Sequence, residues 1–211
     1  MTSIANADLA AVVEEVAEVV VANRAYLSEI DGKIGDGDHG VNMAKGFGRA
    51  AERVHGREMT LDAAMMELSE VLMGEIGGSM GPLYGLMFED MAGALEGRAT
   101  IDAEVFSAML HAGLDGVQGV GGAKVGDKTL IDALAPAVAA FDAAKAQGFA
   151  PALAAMTAAA EAGRDSTIDM VARIGRASRL GERSRGVLDA GATSCCLILS
   201  SLGGSLTRRL A

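Results

Sequence analysis

The chain has 211 residues, enough to bury a sizeable core, and its 50% hydrophobic, 22% charged composition belongs to a folded protein and not to a disordered polymer. A net charge of -10 with 3% aromatic residues excludes a nucleic-acid binder, which needs clustered Lys and Arg against phosphates. Mean hydropathy is positive, at +0.29, yet Gly or a charged residue interrupts every apolar stretch before the roughly 18 residues of a spanning helix. Residues 1–8 carry no Lys or Arg, which fits neither a secretory signal nor a transit peptide, so the expected location is the cytoplasm. Cys195 and Cys196 are adjacent in an apolar run and read as core, not as a disulfide framework.

Apolar residues recur at spacings of three and four almost throughout, and strand-like alternation is nearly absent, so the expected class is all-α. Ala10, Val13, Ala17, Val20 and Val21 mark one face of a first helix that ends near residue 29. Starts and stops place further helices over 41–55, 61–76 behind Thr60 as N-cap, 82–95 before Gly97, 100–120, 128–147 before Gly148, 151–174 and 191–210. Eight helices with short connections predict an antiparallel up-and-down bundle, one domain over 1–211. Glycine-rich stretches fall between Ile30 and Gly40, Gly77 and Gly81, Gly119 and Gly126, and Gly175 and Gly191. Strict alternation brings some of these loops to one end, where a ligand would gather.

The most informative segment is Asp31-Gly-Lys-Ile-Gly-Asp-Gly-Asp-His-Gly40, which leads into the helix starting near Val41. Asp31, Asp36 and Asp38 in a glycine-rich turn would repel one another unless a cation holds them, and oxygen-only donors select a hard ion. Magnesium suits few carboxylates plus substrate phosphates. The calcium-hand alternative fails, because the twelfth position is Asn42 counted from Asp31 and Phe47 counted from Asp36, where a bidentate Glu is required. The competing explanation is that these are turn formers, with Asp38 capping the next helix. The helix start also favours an anion, and cations beside an anion describe a magnesium-phosphate site.

Three other segments bear on function. Gly121-Gly-Ala-Lys-Val-Gly-Asp-Lys-Thr129 is similar to a phosphate-binding P-loop, but Asp127 intrudes before the lysine and the preceding segment reads as helix. It is expected to be a turn into a helix capped by Asp127. Gly77 to Pro82 joins two helices and places N–H groups at the second helix start. The polar stretch from Gly175 to Gly191 concentrates Arg176, Arg179, Arg183 and Arg185 in an acidic chain, and arginine suits phosphate.

With these segments in view, the chain resembles the nucleotide-binding L subunit of dihydroxyacetone kinase over almost its whole length. The specific matches are Gly-Asp-Gly-Asp-His-Gly-Val-Asn at 35–42, Leu-Gly-Glu-Arg-Ser at 180–184 and Asp-Ala-Gly-Ala-Thr at 189–193. The resemblance implies an eight-helix barrel with ADP or ATP at one end, the diphosphate bridged through two magnesium ions to Asp31, Asp36 and Asp38. It further implies that His39, Gly40, Val41, Asn42, Ser79, Met80, Gly121, Leu130, Arg176, Asp189, Ala190 and Gly191 line the nucleotide, with Arg176 steadying the transferring charge. Met80 departs from the usual small hydroxyl residue, a role Ser79 would take over, and Ala190 from a common proline. A separate K subunit holding dihydroxyacetone on its own histidine is the implied partner. A phosphotransferase-system phosphoprotein recharges ADP in one branch of the family, and ATP exchanges in the other. Alternative readings are a kinase subunit for another short ketose, such as a four-carbon sugar, and a nucleotide-loaded regulatory binding protein.

Overall fold

The repeat of apolar residues at three and four is realised as nine α-helices among residues 2–210, which the computed structural model describes. They are α1 (Ala10–Ala22), α2 (Arg24–Ile34), α3 (His39–Val54), α4 (Leu61–Glu75), α5 (Met80–Leu95), α6 (Ala103–Gly121), α7 (Ile131–Ala144), α8 (Phe149–Ser166) and α9 (Ala190–Leu210). From α3 to α9 each helix packs on the next, α9 returns to α1, and α1 packs on α3, which closes a ring. From α3 onward successive helices alternate in direction, and α1 starts beside α4, where the Leu9 N–H donates to the Met59 carbonyl at 2.7 Å. The starts of α3, α5, α7 and α9 therefore meet at one end, and those of α1, α4, α6 and α8 at the other.

The ring encloses Val12, Phe47, Met65, Leu68, Met87, Leu110, Leu134 and Leu199, all buried, with many alanines where helices approach. Phe106, Phe141 and Phe149 form one cluster with ring centroids 5.0, 5.4 and 6.1 Å apart. Burying each such side chain stabilises the fold by about 1.5–3 kcal/mol. Cys195 and Cys196 are buried and free, as the apolar run predicts. Among the described helices α9 is long and apolar enough to cross a membrane. With 67% of its most apolar window buried, it is the helix against which α1, α7 and α8 pack. Arg209 Nη2 bonds Glu15 Oε1 at 2.9 Å and fastens the seam between α9 and α1.

Four local expectations change. The first predicted helix is divided at Asn23, whose Nδ2 donates back to the Val19 carbonyl at 2.8 Å, and α2 then runs on to Ile34, so Asp31 stands on a helix and not in a loop. The predicted 151–174 helix stops at Ser166, where the Ser166 and Thr167 hydroxyls donate to the carbonyls of Gly163 and Arg164, both at 2.6 Å. Short 3-10 turns follow over Thr167–Asp169 and Arg176–Ser184. The helix expected from residue 128 begins at Ile131. Finally β1 (Ser3–Ala5) and β2 (Thr100–Asp102) pair antiparallel with Ile4 opposite Ile101, in strands too short to show alternation in the sequence.

Candidate functional site

Asp31 comes from the last turn of α2, and Asp36 and Asp38 from the turn into α3; one carboxylate oxygen of each lies within 4.8 Å of the others. Glycine is required beside them: a Cβ on Gly35 would sit 2.4 Å from Asp31 Oδ1, and Gly37 has a φ of +77°. Asp38 holds the N-cap position of α3, but with a helical backbone (φ -85°, ψ -13°) its side chain makes no capping bond. An N-cap residue normally keeps an extended backbone so that its oxygen can reach the first turn. Capping therefore does not account for Asp38, and its carboxylate stays with the other two. Asp31 Oδ2 accepts from the His39 N–H at 3.3 Å, and Asp36 pairs with Arg176. Three clustered, partly exposed carboxylates form a hard-oxygen donor set that fits magnesium.

This cluster opens onto a cavity of about 560 Å³ at the end where α3, α5, α7 and α9 begin. Its wall contains Asp31, Asp36, Asp38, His39, Ser79, Met80, Gly121, Leu130, Arg176, Asp189, Ala190 and Gly191, so the structure brings together twelve of the residues expected from the sequence. Gly40, Val41 and Asn42 lie on the first turn of α3 but not in that wall. Gly40 has a packing role, since a Cβ there would meet the Arg24 carbonyl oxygen at 2.1 Å and drive α3 away from α2. The start of α5 repeats the pattern of α3: Ser79 is the N-cap with a helical backbone (φ -80°, ψ -18°) and no capping bond.

The electrostatics of the wall follow from burial. His39 Nε2 lies 2.9 Å from Ser194 Oγ, which is 2.7 Å from the Tyr84 hydroxyl, and Tyr84 donates to the Gly191 carbonyl at 3.0 Å. Burial pushes the His39 imidazole down to about 4 against the pull of Asp31, so it is neutral at pH 7. At the start of α9, Asp189 Oδ2 accepts from the Ala192 N–H at 2.7 Å. Burial pushes the Asp189 carboxyl up to about 7; the Ala192 N–H and Lys128 oppose this, and Asp132 and Asp31 add to it. A cation at the cavity mouth would oppose that trend.

Sequence reasoning missed Tyr84, Ser194 and Asp132, and weighed Lys128 only within the rejected phosphate loop, because their partners are remote or their role needs the folded turn. The expected cap by Asp127 is corrected. α7 starts behind Leu130 with no side-chain capping bond, and Asp132, inside its first turn, ties down the preceding turn instead, with Oδ1 accepting from the Gly126 N–H and Oδ2 from the Thr129 N–H, at 2.5 and 2.7 Å. Asp127 instead accepts from the Lys124 N–H at 2.8 Å. His55 and His111 pair with Glu14 and Asp142 at the surface, apart from the cavity.

Residues 33–204 match the family model described as the DAK2 domain. The chain belongs to the DAK2 domain family. It is 38% identical over 180 residues to the ADP-binding subunit DhaL of the PEP-dependent dihydroxyacetone kinase of Escherichia coli (strain K12), covering 84% of this chain and 86% of that one. To the L-erythrulose 1-kinase of Mycolicibacterium smegmatis it is 33% identical over 208 residues, which is 95% of this chain and 36% of that protein. Among solved structures, the dihydroxyacetone kinase from C. freundii in complex with AMP-PNP and Mg2+ matches with a TM-score of 0.71 at 28% identity, over 93% of this chain and 33% of that one. The chain thus spans about a third of that larger kinase.

Proposed function

We propose that this chain is the ADP- or ATP-binding subunit of a dihydroxyacetone kinase, a single domain over 1–211 acting in the cytoplasm. The observation that carries the reading is the cluster of Asp31, Asp36 and Asp38 at the mouth of a cavity onto which the starts of α3 and α5 face without side-chain caps. The DhaL relatives and the AMP-PNP and Mg2+ complex support it. Magnesium held by the three aspartates, two ions in this reading, supplies neutralisation of the diphosphate and of the transferring phosphoryl oxygens.

The chain's own residues bind and orient. Met80, Leu130 and Gly121 give the nucleotide an apolar wall, while Ser79 and the Asp189-Ala190-Gly191 turn border it. His39 is buried and neutral, so it adds no cationic charge beside the metal ligands. Gly40, Val41 and Asn42 act through the dipole of the first turn of α3. Arg176 is the catalytic residue: it stands at the cavity mouth facing Asp36 and steadies charge on the phosphoryl group as it leaves. The acceptor, dihydroxyacetone held on a separate K subunit, becomes dihydroxyacetone phosphate. A phosphotransferase-system phosphoprotein recharges the ADP in place, in keeping with the PEP-dependent relatives. A four-carbon acceptor is the second reading, favoured by the match to an L-erythrulose 1-kinase over 95% of this chain. Native mass spectrometry before and after chelation tests the assignment: ADP retained with two magnesium ions and released by chelator is the expected result. Equal ADP binding in the presence of chelator contradicts it.

A further inference from the structure

We propose that Lys128 is a positioning residue that pins the neck of the arginine loop through three backbone carbonyls and so holds Arg176 over the cavity, an inference that rests on the kinase reading. Lys128 is the lysine that gives the sequence its likeness to a phosphate loop, and the structure assigns it other work. Its φ of +64° is a conformation that non-glycine residues rarely adopt, and it is 2% exposed, so the backbone turns the side chain inward. Nζ donates to the carbonyls of Met170, Ser184 and Val187 at 3.2, 2.6 and 2.6 Å. An ammonium carries three N–H groups, so none remains for a phosphate, although Lys128 borders the cavity.

Those three acceptors bracket the loop. Met170 lies on the strand of chain that enters it, and Ser184 and Val187 on the one that leaves. The same neck is stitched by Gly186 N–H to the Ile168 carbonyl at 2.7 Å and by Ala172 N–H to Ser184 Oγ at 2.9 Å. Arg173 N–H donates to the Asp127 carbonyl at 3.1 Å, which ties the loop to the turn that carries Lys128. Beyond the neck stands the 3-10 turn Arg176–Ser184. Three carbonyl oxygens aimed at one point repel unless a cation sits among them, and Lys128 is that cation. It touches no reacting atom; it acts through Arg176.

Lys128→Met keeps the length and removes the donors. We expect trypsin to cut at the loop arginines about tenfold faster, turnover with a K-type partner to fall about 100-fold, and the dissociation constant for ADP with magnesium to stay within about threefold. Cutting at the wild-type rate overturns the proposal, as does ADP affinity that falls in step with turnover, because Lys128 would then hold phosphate directly. Should the variant not fold, acetic anhydride labelling of the wild-type protein decides. Lys128 unreactive with or without ADP, beside a reactive and exposed Lys124, supports the pin. A Lys128 that labels freely and is protected only by ADP with magnesium overturns it. Neither proteolysis nor labelling requires kinase activity, so failure of the kinase reading shows separately, as wild-type protein that binds no ADP with magnesium.

Discussion

Two helix starts at each end of the ring use the same cap-type residues in opposite ways. At the end carrying the β-ribbon, Thr60 and Asp102 have extended backbones, and their side chains accept from the N–H groups of Ala63 and Val105 at 3.4 and 2.9 Å. At the cavity end, Asp38 and Ser79 hold the equivalent positions on α3 and α5 with helical backbones and no capping bond. Each capping bond contributes about 1 kcal/mol, so the cavity end gives up local stability at two helix starts. What it keeps in exchange is a carboxylate, a hydroxyl and two positive helix ends facing one cavity. At these starts one end commits its side chains to helix caps and the other leaves them facing the cavity, while Asp189 at the start of α9 still accepts from the Ala192 N–H.

The sharpest attempt to break that contrast is Asp36→Ala. Removing one of three carboxylates should weaken magnesium-dependent ADP binding by about 1000-fold, or about 4 kcal/mol, by isothermal titration. Unchanged affinity would make the cluster a mere turn. Next in size is Gly40→Ala, whose added methyl meets backbone and should cost about 2–3 kcal/mol in urea denaturation, loosening α2 and Asp31 from α3. A cost below the error of measurement would show that α2 docks loosely.

The pH dependence sharpens the comparison further, because two groups at the cavity end work against each other. Asp189, raised to about 7, gives stability that is full below its unfolded value and lost as pH rises through 7. His39, lowered to about 4, does the reverse: the unfolded chain takes its proton near 6.5, so stability is lost as pH falls from there toward 4. Asp189→Asn keeps an oxygen for the Ala192 N–H and should stabilise the protein by about 2 kcal/mol at pH 8 and by nothing near pH 4. The variant's stability should then rise between pH 4 and 6.5, the slope left by His39. The smallest effect is a matched pair of caps. Thr60→Ala should cost about 1 kcal/mol of stability and leave ADP binding alone, whereas Ser79→Ala should leave stability within about 0.5 kcal/mol and weaken ADP binding.

The ring itself was legible in the sequence because each helix writes its own period of three and four, and Thr60, Gly97 and Gly148 punctuate it locally. The aspartate cluster was legible for the same reason, since Asp31, Asp36 and Asp38 lie within eight positions. Breaks without Gly or Pro were not. Asn23 and Ser166 end helices through single bonds from their own side chains to nearby carbonyls, which composition does not announce. The rest of the site depends on distance along the chain. Tyr84 meets Gly191 across 107 positions and Ser194 across 110, and Lys128 reaches Val187 across 59, so these contacts exist only once the ring has closed. The turn at 126–132 misled for a related reason: Asp127 and Asp132 both bond N–H groups of the turn before α7, and neither caps the helix.

The most direct test of the account is to grow crystals with ADP and manganese in place of magnesium and to locate the ion by its anomalous signal. Manganese is expected among the carboxylates of Asp31, Asp36 and Asp38, with the diphosphate at the starts of α3 and α5. Manganese elsewhere, with those three side chains turned to solvent, would contradict it.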